Sequence, residues 1–415
     1  MHKIQNERVN TVFFDPTTSI CFGYLRNRKK SAGLIHQHLN HAIVSPFSNP
    51  HGYTKMTTTH LFKTLKTGAH NLNNRILMAP LTRARADAGH VPSELMAEYY
   101  AQRASAGLII TECTMVSPNT SAFFAEPGIY NDEQIAGWKK TTDAVHAKGG
   151  KIFLQIWHAG RAAHPALNDG AEIVAPSAVA NGGDVHTPNG KLPFPTPREL
   201  RSDELPAIVE AFVQAARNAM AAGFDGVEVH GANGYLLDQF LRSNTNQRND
   251  NYGGSTENRA RLLCEVLTAV SAAIGSDRVG VRLSPLNSYN SMKDDDPIAL
   301  ISYLAKRLND FNLAYLHILR TDFFFVHTGD VMTPARENYK GVLIGNAGYS
   351  AAEADAAIND GKLDAIAFGA GFLANPDLPA RFKAGAELNT PDSSTFYSPG
   401  AKGYTDYPEM AVEAN

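Results

Sequence analysis

Asp203-Glu-Leu-Pro-Ala-Ile-Val-Glu-Ala-Phe-Val-Gln-Ala-Ala-Arg-Asn-Ala-Met-Ala-Ala-Gly-Phe-Asp-Gly-Val-Glu-Val-His230 holds the repeating unit of the chain. Its first part reads as a helix from Asp203 to Ala222. Leu205, Ile208, Val209, Phe212, Val213, Ala216 and Met220 fall on one face at a helical period. Ser202 is placed to cap that helix, Asp203 and Glu204 suit its positive end, and Gly223 ends it. Gly226-Val-Glu-Val-His230 is then a short apolar run of strand type. Helix, glycine, strand is half of an alternating α/β fold.

The pattern recurs. Strand-like runs stand at Ile76–Ala79, Gly107–Thr111, Ile152–Trp157, Gly226–His230, Val279–Leu283, Ala314–Ile318, Gly341–Ile344 and Ala365–Phe368. Helical patterns lie between them at 93–105, 134–148, 203–222, 257–273, 297–309, 350–360 and 376–384, with a weaker one at 333–339. Eight strands alternating with helices predict an α/β protein of the (β/α)8 TIM-barrel type. A doubly wound sheet would want a glycine-rich phosphate loop after its first strand. Neither Gly-x-Gly-x-x-Gly nor Gly-x-x-x-x-Gly-Lys-Ser/Thr follows any of the runs, and Gly369-Ala-Gly371 lacks the third glycine.

Composition bounds the class. The 415 residues are 43% apolar and 19% charged with a formal charge of −3, so no strong positive field points to nucleic acid. Cys21, Cys113 and Cys264 are far apart, which gives neither a disulfide framework nor a metal spacing and fits the reducing cytoplasm. No apolar run approaches the ~20 residues of a membrane span. Residues 1–55 differ from the rest: they carry a net charge of +5, against −8 for residues 56–415, and lack any helix or strand period. They are expected to be a disordered extension or to lie upstream of the true start at Met56, leaving 56–415 as one barrel domain.

A barrel places its chemistry at the C-terminal strand ends. Val227-Glu-Val-His-Gly-Ala-Asn-Gly-Tyr235 brings three polar side chains to the end of the fourth strand. His230 and Asn233 can both donate to one oxygen, and Tyr235 can deliver a proton. The other ends offer Thr82 on the first strand, Gln155 and Trp157 on the third, and Arg282 on the fifth. Gly345-Asn346-Ala-Gly348 and Gly369-Ala370-Gly371 close the seventh and eighth strands, where glycines let backbone N–H groups approach a phosphate. No His-x-His marks the first strand for a metal, and no lysine stands at a strand end for a Schiff base. Nothing marks Glu112 and Glu228 as a glycosidase pair. An amide, a cation, a hydroxyl and a phosphate loop are the parts a flavin uses.

The chain resembles the Old Yellow Enzyme family of FMN-dependent ene-reductases over roughly residues 60–410. The motifs that carry the resemblance are Asn74-Arg-Ile-Leu-Met-Ala-Pro-Leu-Thr-Arg83, Gln155-Ile-Trp-His-Ala-Gly-Arg161, Gly226 through Tyr235, Asn246 through Arg261, Gly280-Val-Arg-Leu-Ser-Pro285, Ala374-Asn-Pro-Asp-Leu378 and Gly403-Tyr-Thr-Asp-Tyr-Pro408. The resemblance implies tightly bound, non-covalent FMN with NADPH or NADH as reductant. It places Pro80, Leu81, Thr82 and Cys113 against the ring, Gln155 at its pyrimidine edge and Arg282 at its N1/O2 edge. Asn346, Gly348, Gly369 and Ala370 would lie at the phosphate. His230 and Asn233 would grip a substrate carbonyl, Tyr235 would donate the proton, and Trp157 and Tyr397 would line the pocket. The activity implied is NAD(P)H-dependent reduction of activated C=C bonds in α,β-unsaturated carbonyls, and also in nitroalkenes and maleimides, with nitrate esters as a further class. The chain is accordingly expected to act on a small molecule as a monomer or homodimer, with no nucleic-acid or membrane partner and no metal. One departure stands out: the family commonly has Phe-Gly-Arg after the eighth strand, and this chain has Phe368-Gly369-Ala370. A flavin-binding barrel acting as redox sensor or electron shuttle is the alternative. It would keep the cofactor contacts without needing His230, Asn233 and Tyr235. Relatives with an iron–sulfur cluster need four clustered cysteines, which three separated ones do not supply.

Overall fold

The computed structural model describes residues 59–411, so the expectation for residues 1–55 lies outside the described residues. The eight expected runs form the staves of a closed parallel barrel: β1 Ile76–Met78, β2 Ile109–Ile110, β3 Ile152–Trp157, β4 Gly226–Gly231, β5 Val279–Leu283, β6 Tyr315–Leu319, β7 Leu343–Asn346 and β8 Ala365–Phe368. Each pairs with its sequence neighbour, and β8 pairs with β1 to close the ring. All eight strands are buried along their length, which is why they read as continuous apolar runs rather than as alternation.

Helices cover the outside: α1 Glu94–Gln102, α2 Asp132–Ala147, α3 Leu205–Ala221, α4 Thr256–Ile274, α5 Pro297–Leu308, α6 Met332–Asn338, α7 Ala351–Asn359 and α8 Leu378–Ala384. On α3 the cap differs from expectation. Ser202 bonds to the Asp250 carboxylate at 2.7 Å instead of to the helix, and Glu204 occupies the cap position without a side-chain bond to the helix N–H groups. Pro206 in the first turn has no N–H to satisfy, and Arg198 draws the Glu204 carboxylate outward. The buried face of α3 also turns toward Ala215 and Ala219, leaving Ile208, Val209 and Met220 at its partly covered margin.

Two local features shape the interior. Between the pairs Ile110–Phe153 and Thr114–Ile156, the chain leaving β2 takes four steps while β3 takes three. That one-residue bulge lets Glu112 and Cys113 leave the ladder at the barrel mouth before Thr114 rejoins it. At the opposite end the hairpin Leu65–Thr67 and His70–Leu72 plugs the barrel, with Thr67 bonded to the Ala314 carbonyl and Leu65 and Leu72 packed on Leu77, Phe153 and Tyr315. Its turn demands glycine: Gly68 has φ of +50°, and a Cβ there would lie 1.9 Å from the Asp277 carbonyl oxygen.

The interior alternates large with absent side chains. A Cβ on Gly226 would meet the Phe153 ring at 2.5 Å, and one on Gly280 would meet the Tyr315 ring at 2.3 Å. Both rings sit in the closed barrel core, so neither has free space to yield into. Gly280→Ala is therefore expected to destabilise the barrel by about 1–3 kcal/mol, the scale of core overpacking. Urea denaturation measures this, and an unchanged midpoint would mean that the Tyr315 ring moves freely.

Candidate active site

The fourth strand delivers its three polar residues to the mouth through a constrained exit. Asn233 has φ of +57° and Gly234 +73°, and a Cβ on Gly234 would collide with Asn290 and Met292 at 2.6–2.7 Å. This tight turn brings Tyr235 back beside His230, with ring centroids 5.1 Å apart and edge to face. Four bonds hold the turn. Asn233 N–H donates to Ser284 Oγ at 2.7 Å, the Asn290 amide donates to the Asn233 carbonyl at 2.9 Å, and Gly234 N–H donates to the Asp238 carboxylate at 2.8 Å. The fourth sets the chemistry: Asn287 Nδ2 donates to Asn233 Oδ1 at 2.9 Å. With its oxygen engaged, Asn233 presents Nδ2, which has no partner among the described residues, so it serves as a donor.

His230 is polarised the same way. Its Nδ1 accepts the Ala232 N–H at 3.2 Å, so the neutral ring carries its proton on Nε2. Burial holds the imidazole well below its usual pKa, and the positive charge of Arg282 adds to that. Tyr235 is nearly buried, and its ring stands edge-on to Trp157 at 4.3 Å. Burial pushes its phenol well above the usual range, and the neighbouring Tyr289 phenol and Cys113 thiol push it the same way. At neutral pH the site therefore presents two neutral N–H donors and one intact phenol.

The floor is a polar layer inside the barrel. His230, Arg282 and His317 stand level on β4, β5 and β6. Two residues below them, Glu228 pairs with Gln155. Glu228 accepts from Gln155 Nε2 at 2.7 Å and from His317 Nδ1 at 2.8 Å. A carboxylate only accepts, so the amide of Gln155 must face it with nitrogen, which leaves Oε1 for whatever lies above. Arg282 donates through Nη2 to Asn346 Oδ1 at 2.8 Å, and Asn346 in turn donates to the Ala367 carbonyl at 2.7 Å. The buried Nε of Arg282 has no partner, an unmet donor of the kind that an anionic ring edge satisfies. Thr82 Oγ1 lies 3.1 Å from Cys113 Sγ, on the bulge after β2. These are the groups that the N1/O2, pyrimidine and O4/N5 edges of a flavin require, and the donor set fits FMN.

The remaining expected residues take their places around this floor. Pro80 is buried, and Leu81 lies 3.4 Å from the position of a Cβ on Gly369. Gly348 is exposed with φ of +70°, and Gly369 and Ala370 open a single turn of helix, Ala370–Ala374. Trp157 is wholly buried and supports Tyr235 from behind, so its contact is with the proton-bearing ring. Tyr397 is exposed and stacks on Phe123 at 6.0 Å, which itself leans on Trp157.

Residues beyond those expected complete the site. Asn287, Ser284 and Asn290 fix Asn233, Tyr289 lies against Tyr235, and Phe123 joins Tyr397 to Trp157. Ser284 and Asn287 follow the end of β5, so the rule that singled out Arg282 could have reached them. Phe123 leaves no comparable signal in the sequence.

Comparison with known proteins supplies the context for this geometry. The model of the NADH:flavin oxidoreductase / NADH oxidase family matches residues 60–389. A probable flavin mononucleotide-dependent alkene reductase of Leishmania infantum is 51% identical over 356 residues, covering 84% of this chain and 97% of the relative. A 12-oxophytodienoate reductase 2 of Arabidopsis thaliana is 42% identical over 84% of this chain and 95% of the relative. Among solved structures, the old yellow enzyme from Trypanosoma cruzi superposes with a TM-score of 0.83 at 46% identity, covering 86% of this chain and all of that one. Morphinone reductase in complex with tetrahydroNAD gives 0.81 at 48% identity, covering 86% and 99%.

The hydrogen-bond pattern and the lowered pKa predict that His230 is neutral with its proton on Nε2 at neutral pH. Its depressed pKa means that protonation sets in only far below the ordinary midpoint. Imidazole ¹⁵N NMR reads the tautomer directly. A titration centred near pH 6.5, or a proton on Nδ1, would show that the Ala232 bond does not govern this ring.

Proposed function

Because the chain belongs to the NADH:flavin oxidoreductase / NADH oxidase family, which includes the Old Yellow Enzymes, we propose how its own residues divide the work of the reaction that this membership brings. The protein is an FMN-dependent ene-reductase: it uses NAD(P)H to reduce the activated C=C bond of small α,β-unsaturated carbonyl compounds. Thr82, Gln155, Arg282 and the backbone of Gly348 and Gly369 hold the cofactor, with Pro80, Leu81 and Cys113 against its ring and Asn346 bracing Arg282. Bound there, FMN would supply the two-electron redox chemistry that links NAD(P)H to the alkene.

The observation that carries the division of roles is the convergence of three neutral donors beside one polar floor. His230 Nε2 and Asn233 Nδ2 donate to the substrate carbonyl oxygen. They draw electron density from the alkene and stabilise the negative charge that develops on that oxygen. Both donors are pre-aimed, His230 by the Ala232 N–H and Asn233 by Asn287, so little reorganisation is needed. Tyr235 then gives its proton to the α-carbon. Its raised pKa keeps it protonated, and the neighbouring enolate is basic enough to take the proton. Trp157 fixes the Tyr235 ring, and Tyr397 with Phe123 walls the pocket. A sensor or electron shuttle is not favoured, since it has no use for two aimed donors beside a protonated phenol.

Residues 56–415 form one catalytic barrel domain in this reading, with 1–55 an extension to it. Among the described residues no helix is long and apolar enough to cross a membrane. Cys113 and Cys264 are free thiols, which supports a reducing, cytoplasmic setting. The same reading has the enzyme working as a monomer or homodimer.

Purified protein is expected to be yellow, to release FMN on denaturation and to be re-oxidised by 2-cyclohexenone after anaerobic reduction. A colourless protein that takes up no added FMN would overturn the reading.

Tyr235→Phe separates the steps. Reduction by NAD(P)H should stay near wild type, because the phenol plays no part in it. Re-oxidation by 2-cyclohexenone should slow by roughly 10²-fold or more, the scale of losing a general acid. Rapid-mixing absorbance at the flavin band follows both. Equal slowing of the two half-reactions would indicate a damaged pocket, and unchanged re-oxidation would remove Tyr235 from its role.

A further inference from the structure

The mouth between β7 and β8 is where the cofactor phosphate would sit, and its usual arginine is replaced by Ala370. A phosphate carries about two negative charges at neutral pH, so a loop of backbone amides alone must be held firmly in one form to bind it. We infer that Arg320, at the end of β6, is the positioning residue that does this: it grips the β7 loop from behind and turns the loop amides toward the phosphate. The inference rests on the reading of the mouth as an FMN site.

The loop adopts a conformation that needs support. Ala347 has φ of +81° and Gly348 +70°. Glycine takes such angles without cost, but alanine rarely does. Arg320 supplies the hold. Its Nε donates to the Ala347 carbonyl at 2.8 Å and its Nη2 to the Gly348 carbonyl at 3.0 Å. In a planar trans peptide the N–H points opposite to the C=O. With both carbonyls turned toward Arg320, the N–H groups of Gly348 and Tyr349 are turned away from it. Neither N–H has a hydrogen-bond partner among the described residues, and both are free for an anion.

Arg320 is itself fixed. Its guanidinium is paired through both terminal nitrogens with the Glu353 carboxylate and stacks over the Tyr349 ring at 3.6 Å. Glu353 is held in the first turn of α7, where its N–H is capped by Ser350. A rigid planar fork can bridge two carbonyls and a carboxylate together, whereas a lysine would offer one point charge. The cation thus stands behind the loop, on the side of its carbonyls.

Riboflavin, which lacks the phosphate, makes the test specific. Full-length protein is titrated with FMN and with riboflavin, and dissociation constants are read from flavin fluorescence. Arg320→Met keeps an apolar stem over Tyr349 but loses the fork. It should weaken FMN on the order of tenfold, the scale of losing a charge-assisted bond, and leave riboflavin unchanged. Arg320→Lys should fall between. Adding Ala370→Arg to Arg320→Met should restore FMN affinity, because a direct ion pair replaces the ordered amides. An equal loss for both flavins would show a merely structural role and overturn the inference, as would unchanged FMN affinity. Failure of the wild-type protein to bind either flavin would instead overturn the underlying cofactor assignment.

Discussion

A carboxylate buried inside a closed barrel dictates much of this site. Removing Glu228 from water costs several kcal/mol unless donors meet it. Parallel register places Gln155 level with it on β3, and His317 reaches it from β6. Each partner is thereby given one orientation. Gln155 must turn its nitrogen to Glu228 and leave its oxygen free, and His317 must donate through Nδ1. A residue that meets no substrate in the proposed reaction thus decides which atoms the barrel shows at its mouth.

The same logic of one engaged face and one presented face runs through the layer above. Asn346 takes one guanidinium nitrogen of Arg282, and the buried Nε is left for a ligand. Asn287 takes the oxygen of Asn233 and leaves its amide nitrogen. The Ala232 N–H takes Nδ1 of His230 and leaves Nε2. In the inference drawn for Arg320, the loop carbonyls are taken and the amides are left. In each case a buried or tightly turned polar group has one lone pair or proton satisfied by the protein, so only the complementary one remains for chemistry. Preorganisation of this kind is inexpensive in a barrel, because neighbouring strands hold the partners at fixed spacing.

The interior leaves room for these groups by omission. Gly226 and Gly280 carry no side chain where Phe153 and Tyr315 fill the barrel, and Gly280 stands level with Glu228. The bulge after β2 releases Cys113 toward Thr82, and the left-handed pair at Asn233 and Gly234 folds Tyr235 back over His230. Local irregularities in an otherwise regular barrel thus coincide with the places where the chemistry is set.

Much of this was legible in the chain itself. Apolar runs separated by helical periodicity determine a (β/α)8 barrel, because strands buried on both faces and helices buried on one leave unmistakable patterns. Strand ends could be located, and with them Thr82, Gln155, His230, Asn233, Tyr235 and Arg282. What those side chains present to a ligand was not legible. The partner that aims Asn233 lies 54 residues away, the one that aims Gln155 lies 73 away, and the one that engages Arg282 lies 64 away. Hydrogen-bond direction depends on atoms brought together only when the barrel closes, so periodicity and motif name the residue while tertiary structure chooses its working face.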